Sequence, residues 1–284
     1  MLSLRAPAKI NWFLFVPGRR DDGYHEIISL MQCVDLYDGL TFEPFDALAL
    51  ESDCPIPAHE NIVWKAALLL KEHSGTGRGA RVRLEKNIPL EAGLGGGSSD
   101  AAFTLIGLNR LWGLGLETAE LSALGAKLGS DVPFFINGCC SLATGRGEKI
   151  EPVDMGGKEF SVLIVKPEFG VSAGWAYRAL RSFTGLTKAN DNIKLFIRAL
   201  REGELSALEG LGCNDLEGGV LAAFPEIGRI KAALKSRGAR YVLMSGSGSS
   251  VFGVFPDGES ARKAGEGIAW WCRSVRTICE RSLF

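Results

Sequence analysis

Residues 88–103 read I-P-L-E-A-G-L-G-G-G-S-S-D-A-A-F, with glycine at four of the five positions from Gly93 to Gly97. Glycine has no Cβ, so its backbone can take a positive φ and come close to a ligand. Ser98, Ser99 and Asp100 are good N-cap residues for a helix expected over residues 101–112. A glycine-rich loop feeding a helix start gathers unpaired N–H groups at the positive end of the helix dipole. That arrangement suits an anion, most often phosphate. In an ordinary turn, four glycines would lose backbone entropy with nothing to offset the loss.

Other reactive residue types lie far away in the chain. Lys9 and Asn11 stand two apart in A-P-A-K-I-N and so share one face of a strand. Lys9 alone reads equally as a strand-edge lysine snorkelling to solvent. Asp131 sits in G-S-D-V-P-F-F, an apolar setting in which a carboxylate is costly unless paired. It also suits the N-cap of a helix starting near Pro133. Tyr24 and His25 lie in the turn-rich, charged segment 17–26. Both can stack on or hydrogen-bond a base, and a solvated hairpin tip is the other reading.

Several phosphate motifs are excluded letter by letter. No lysine follows the glycines, so the P-loop is absent. The dinucleotide fingerprint fails because Ser98 stands where its last glycine belongs. Neither H-R-D nor D-F-G is present. G-S-S-D-A nearly matches a nucleophile elbow, but His25, His59 and His73 all precede Ser99, whereas the triad histidine of that fold follows the serine.

From Pro89 to Ala101 the chain resembles the central motif of the GHMP kinases, the superfamily of galactokinase, homoserine kinase and mevalonate kinase. A-P-A-K-I-N resembles the first motif of these enzymes, and S-G-S-G-S-S at residues 245–250 the third. The three stand in the expected order and the resemblance spans nearly the whole chain. It implies an α+β protein of two domains, the first like domain 2 of ribosomal protein S5, the second with a split β-α-β core, and the active site between them.

The resemblance also implies ATP with Mg²⁺ as the cofactor. Pro89, Leu90, Glu91, Ala92, Gly93, Leu94, Gly95, Gly96, Gly97, Ser98 and Ser99 would bind ATP, with Asn61 and Lys86 beside the adenine. Read from their own surroundings, Asn61 is a helix N-cap and Lys86 a strand-edge lysine. Lys9 would lie at the reacting hydroxyl and Asp131 would be the catalytic carboxylate. The longer G-L-G-G-G-S-S-D-A-A spelling and the D-G-Y-H-E loop resemble the branch of the family acting on a methylerythritol alcohol that bears a cytidine diphosphate group, in isoprenoid precursor synthesis. Asn11, Tyr24, His25 and Tyr177 would then bind that small-molecule substrate. A kinase for mevalonate or homoserine, and a nucleotide-binding module without catalysis, are the rival readings. Metal ligands stay unassigned, although Ser98 or Ser99 could reach the ion.

Composition fits this. The chain has 284 residues, 46% hydrophobic and 23% charged, as expected of a globular protein with a sizeable core. A net charge of −1 offers no global attraction to nucleic acid or an anionic membrane. The seven scattered cysteines point to a reducing compartment, with the cytoplasm as the default and a monomer or homodimer as the state. A strand-rich first half gives way to helix-rich segments, which places domains at 1–157 and 158–284 around a linker at residues 154–158. Pattern places strands over residues 2–16, broken at Pro7, and two strands over 27–50 around an Asp38-Gly39 hairpin turn. Helices are expected over residues 61–73, 117–128, 172–182, 190–208, 217–237 and 258–271, and a last strand over 275–279.

Overall fold

Two long paired strands set the frame. In the computed structural model, which describes residues 1–279, β1 (Leu2–Arg19) is buried along most of its length and runs antiparallel to β2 (His25–Phe45). After β3 (Leu48–Ser52), α1 (Ile62–Ser74) leads to β4 (Gly79–Glu85), which lies parallel to β3. Three helices follow, α2 (Gly96–Trp112), α3 (Thr118–Leu128) and α4 (Val132–Asn137), then the strands β5 (Cys140–Thr144) and β6 (Lys149–Pro152). One edge of β2 pairs with β1, while the other carries β4 at residues 39–45 and β5 at residues 29–32. The helices bury Val63, Leu70, Phe103, Leu108 and Phe134 against Leu4, Met31, Leu40 and Phe42 of the sheet. α2 approaches so closely that a Cβ on Gly107 would come within 2.5 Å of the Phe42 ring.

The second half builds its own sheet. Its elements are β7 (Ser161–Lys166), α5 (Ala173–Arg178), α6 (Leu186–Glu202), α7 (Glu217–Ala223), α8 (Pro225–Ser236), β8 (Tyr241–Met244), β9 (Val251–Phe255), α9 (Gly258–Gly265) and β10 (Trp271–Arg276). The strand order is β10-β7-β9-β8, antiparallel throughout. The two sheets share one aromatic core. Trp12 and Phe13 of β1 meet Phe160 at 5.2 Å and Phe196 of α6 at 5.1 Å, centroid to centroid, and the Tyr241 hydroxyl donates to the Trp12 carbonyl at 2.7 Å.

Several elements depart from the sequence pattern. β1 runs through Pro7 with a register shift between Pro7 and Ala8, because the missing N–H disturbs the ladder without ending it. Asp38-Gly39 is not a turn. Gly39 pairs with Arg5 on one side and Glu85 on the other, and the carboxylate of buried Asp38 accepts the N–H groups of Asn87 and Ile88. Those tertiary bonds override a local turn signal, and the chain breaks at residues 46–47 instead. α2 starts at Gly96, five residues before the expected 101, capped by Gly95 at φ 70°. The helix expected over 217–237 splits into α7 and α8 at Pro225, whose ring suits the first turn of a helix rather than its interior. α6 spans 186–202, and Gly203 at φ 81° separates it from a short 3₁₀ turn at Leu205–Leu208. α5 stops at Arg178 and α9 at Gly265, while the last strand covers 271–276.

Phe196 is fully buried where α6 meets β1. Phe196→Ala should lower unfolding stability by about 3–5 kcal/mol in a urea titration, the usual cost of a large cavity in a packed core.

Candidate active site

The glycine loop runs between the two halves of the chain and bonds to both. Its carbonyls are occupied in succession. Glu91 O accepts Val171 N–H at 3.2 Å, Ala92 O accepts Ser250 N–H at 3.1 Å, and Gly93 O accepts the Ser245 hydroxyl at 2.9 Å. Leu94 O accepts Lys9 N–H at 2.9 Å. The S-G-S-G-S-S loop therefore packs directly on the glycine loop, and a Cβ on Gly93 would collide with the Ser245 carbonyl. The amides face elsewhere. Gly95 turns the chain into α2, whose first N–H groups, at Gly96, Gly97 and Ser98, have no intrahelical partner.

Two cavities flank this loop. The smaller, about 600 Å³, is lined by the whole run from Pro89 to Ser98 together with Asn61, Lys86 and Asp100. The larger, about 730 Å³, is lined by Lys9, Asn11, Tyr24, His25, Asp131 and Tyr177. Glu91, Gly93, Gly95 and Ser98 face both cavities, so the loop is the wall between them. Ser99 is fully buried and lines neither.

Lys9 and Asp131 meet in the larger cavity, with Lys9 Nζ 3.5 Å from Asp131 Oδ2. Lys9 is 3% exposed, and its ammonium also donates to Asn11 Oδ1 at 2.5 Å. Asn11 Nδ2 donates in turn to Ser29 Oγ at 2.8 Å, and Ser29 Oγ to the Phe13 carbonyl, so the amide is locked. Asp131 stands at the N-cap of α4 but, among the described residues, makes no side-chain capping bond. Its carboxylate is left facing Lys9 and the cavity. A Cβ on Gly246 would come within 3.2 Å of both Lys9 Nζ and Asn11 Oδ1, so the second Gly/Ser loop also shapes this corner.

The aromatic residues gather at the far end of the same cavity. His25 stacks on Tyr177 with centroids 5.1 Å apart at 19°. Burial, aided by Arg19, holds the His25 imidazolium below its ordinary pKa, leaving a neutral ring with one donor and one acceptor nitrogen at neutral pH. Burial and the nearby Asp131 push the Tyr177 hydroxyl up. Tyr24 is exposed, with the Arg146 guanidinium 4.9 Å above its ring. Arg146 was not singled out in the sequence, nor were Arg19 and Arg178, which line the same cavity. The only signal was the G-R-G-E turn between β5 and β6. Its residue Gly147 lies beside Asp131, with a Cβ position 3.8 Å from Asp131 Oδ1.

Asn61 caps α1, its Oδ1 accepting Val63 N–H at 2.9 Å, and lines the smaller cavity as well. Lys86 is 11% exposed by side chain and pairs with Asp38 and with Asp100 Oδ2, the latter at 2.7 Å. Burial, then Asp38, push the Asp100 carboxyl up to about 7 although Lys86 pulls it down. Two carboxylates around one ammonium favour an extra proton. No cluster of three or more His, Cys, Asp or Glu able to hold a metal exists among the described residues. Ser98 lies on the wall shared by the two cavities.

Comparison with known proteins agrees with this architecture. Residues 61–139 match the GHMP kinases N terminal domain and residues 192–269 the GHMP kinases C terminal domain. The chain belongs to the GHMP kinase family. Relatives within it include the 4-diphosphocytidyl-2-C-methyl-D-erythritol kinase of Thermodesulfovibrio yellowstonii, 45% identical over 99% of both chains. The enzyme of that name from Syntrophotalea carbinolica is also 45% identical, over 95% of both chains. A crystal structure of 4-(cytidine 5'-diphospho)-2C-methyl-D-erythritol kinase superposes with a TM-score of 0.84 at 37% identity, covering 97% of this chain and 99% of that one.

Asp100 ties pH to stability. Its folded pKa lies above the unfolded value of 3.8, so the folded state holds a proton that the unfolded state has released. Stability contributed by this group is greatest below the unfolded pKa and is lost as pH rises to about 7. Lys86 and Asp38 are the charged groups facing it. Asp100→Asn cannot titrate, so the melting temperature of the variant relative to wild type should improve from pH 5 to pH 8; a flat or opposite trend would contradict the assignment.

Proposed function

We propose that this kinase transfers the γ-phosphoryl group of ATP to the 2-hydroxyl of 4-diphosphocytidyl-2-C-methyl-D-erythritol, in the methylerythritol phosphate route to isoprenoids. The observation that carries the reading is the glycine loop as common wall, with backbone amides on one side and the Lys9–Asp131 pair on the other. Phosphoryl transfer depends mainly on positioning and charge neutralisation, and a wall of this kind brings the two reactants together at its edge.

ATP would occupy the smaller cavity. The amides of Gly96, Gly97 and Ser98 would meet its phosphates, and Asn61, Lys86, Pro89 and Leu90 would border the adenine. Mg²⁺, when bound, would neutralise charge on the phosphate oxygens, and the Ser98 hydroxyl on the shared wall would help to hold it. The acceptor would occupy the larger cavity. Tyr24, His25 and Tyr177 would hold the cytosine, the neutral His25 ring offering both a donor and an acceptor to the base edge. Asn11 would bind the acceptor chain. Lys9, buried and held by Asn11, would orient the hydroxyl and offset charge near the γ-phosphate. Asp131 would accept the hydroxyl proton. The same reading divides the labour at residues 1–157, which carry the nucleotide loop, and 158–284, which close the cleft. Among the described residues no helix is long and apolar enough to cross a membrane, and we place the protein in the cytoplasm.

Asp131→Asn should lower kcat by about 100-fold or more, the usual contribution of a positioned general base, with little change in ATP affinity. Lys9→Met should lower kcat by about 100- to 1000-fold, as for a lost charge stabiliser. Coupled ADP release checks both, and near-normal turnover in either variant removes that residue from its role. A panel of cytidine diphosphate methylerythritol, mevalonate and homoserine tests the acceptor. Turnover of only the first is expected, and preference for either of the others would reassign the substrate.

A further inference from the structure

Both ends of the glycine loop are tied to one buried ammonium. Lys86 pairs with Asp38 on β2 and, 2.7 Å away, with Oδ2 of Asp100, the fifth residue of α2. Asp38 is fully buried, and its Oδ1 accepts the N–H of Asn87 at 2.6 Å and of Ile88 at 2.8 Å. Those two residues are where the loop leaves β4, and Asp100 is where it has become helix. The run of glycines therefore departs from and returns to the same charged knot.

The knot is not built for stability alone. Asp100 is 2% exposed, and among the described residues its Oδ1 has no hydrogen-bond partner. Placing a second carboxylate in so small a buried space, with one oxygen unsatisfied, is unfavourable beside an apolar packing of the same volume. What the carboxylate does supply is direction. Glycines leave a backbone free to rotate, and the first turn of α2 contains Gly96 and Gly97. A side chain anchored through Lys86 to the sheet fixes how that turn is rotated, and with it where its amides point.

We propose that Asp100 is a positioning residue for phosphoryl transfer, acting through Lys86 to aim the α2 amides at the nucleotide. This rests on the reading of the glycine loop as the ATP site. The nucleotide should feel the loss of Asp100 more than the acceptor, because Lys9, Asn11 and Asp131 are held by other bonds.

Steady-state kinetics on the full chain, with both substrates varied, test it. Asp100→Ala should raise KM for ATP by about tenfold or more and lower kcat, since a small misplacement of a bound reactant carries a large rate penalty. KM for the acceptor should stay within about twofold, a split that a general loss of folding would not produce. Asp100→Asn keeps an oxygen for Lys86 and should recover most of the loss. Because the two residues act as a unit, Asp100→Ala/Lys86→Met should be no worse than Lys86→Met alone. An unchanged KM for ATP in Asp100→Ala, an Asn variant as poor as the Ala variant, or losses that multiply in the double variant would each overturn the proposal. If Asp100→Ala does not fold, Asp100→Ser replaces it, with a hydroxyl too short to reach Lys86 and the same outcomes required. Wild-type protein that does not use ATP would instead refute the reading of the loop itself.

Discussion

The peptide units from Glu91 to Leu94 serve two sides at once. Every buried backbone group needs a partner, and the carbonyls of these four residues find theirs in Val171, Ser250, Ser245 and Lys9. Once the carbonyls are taken, the loop cannot rotate to satisfy its neighbours' N–H groups internally. The amides at the start of α2 are left for solvent or for an anion. Much else in the structure depends on this division. It brings the Gly/Ser loop after β8 onto the glycine loop, and it leaves no room for a side chain at Gly93. It also carries the backbone of Lys9 to the same spot, which is why a residue of the first strand stands beside a carboxylate from α4.

Charge is distributed around that wall unequally. In the smaller cavity the side-chain cation, Lys86, is already matched by Asp38 and Asp100, so attraction for a polyphosphate comes chiefly from backbone dipoles. The larger cavity holds Lys9, Arg19, Arg146 and Arg178 against Asp131 and Glu91. A chain with a net charge of −1 thus keeps a locally cationic chamber, suited to an acceptor that carries phosphate of its own.

The motifs were legible in the sequence for different reasons. A glycine cluster ahead of a helix is an unusual spelling, so a tight loop at residues 93–97 leading into a helix could be expected from the residues themselves. The helices expected over residues 101–112 and 117–128, and the stripe of Val63, Ala66 and Leu70, followed from caps and apolar periodicity. The meeting of Lys9 with Asp131 has no local signature and came only from the resemblance of two distant segments to one family. What stayed hidden was set by tertiary bonds. Asp38-Gly39 spells a turn, and nothing nearby in the chain reveals that Asp38 is needed by Lys86, Asn87 and Ile88. Ser98, Ser99 and Asp100 spell a cap, yet Gly95 in a left-handed conformation starts the helix earlier. Arg146 was silent because a cation between glycines looks like any exposed turn until Tyr24 is found beneath it.

The aromatic core around Trp12 has a consequence for how ligands come and go. Trp12, Phe13, Phe160, Phe196 and Phe252 are buried together, and they come from β1, from the residue before β7, from α6 and from β9. Swinging the two halves apart would wet this whole cluster, and densely packed interiors resist such opening. Access is left to the rim, where Tyr24 and Phe183 stand exposed and the Phe183 ring lies 6.3 Å from His25 of the His25–Tyr177 stack. A ligand that enters along that rim leaves the packing between the two halves untouched.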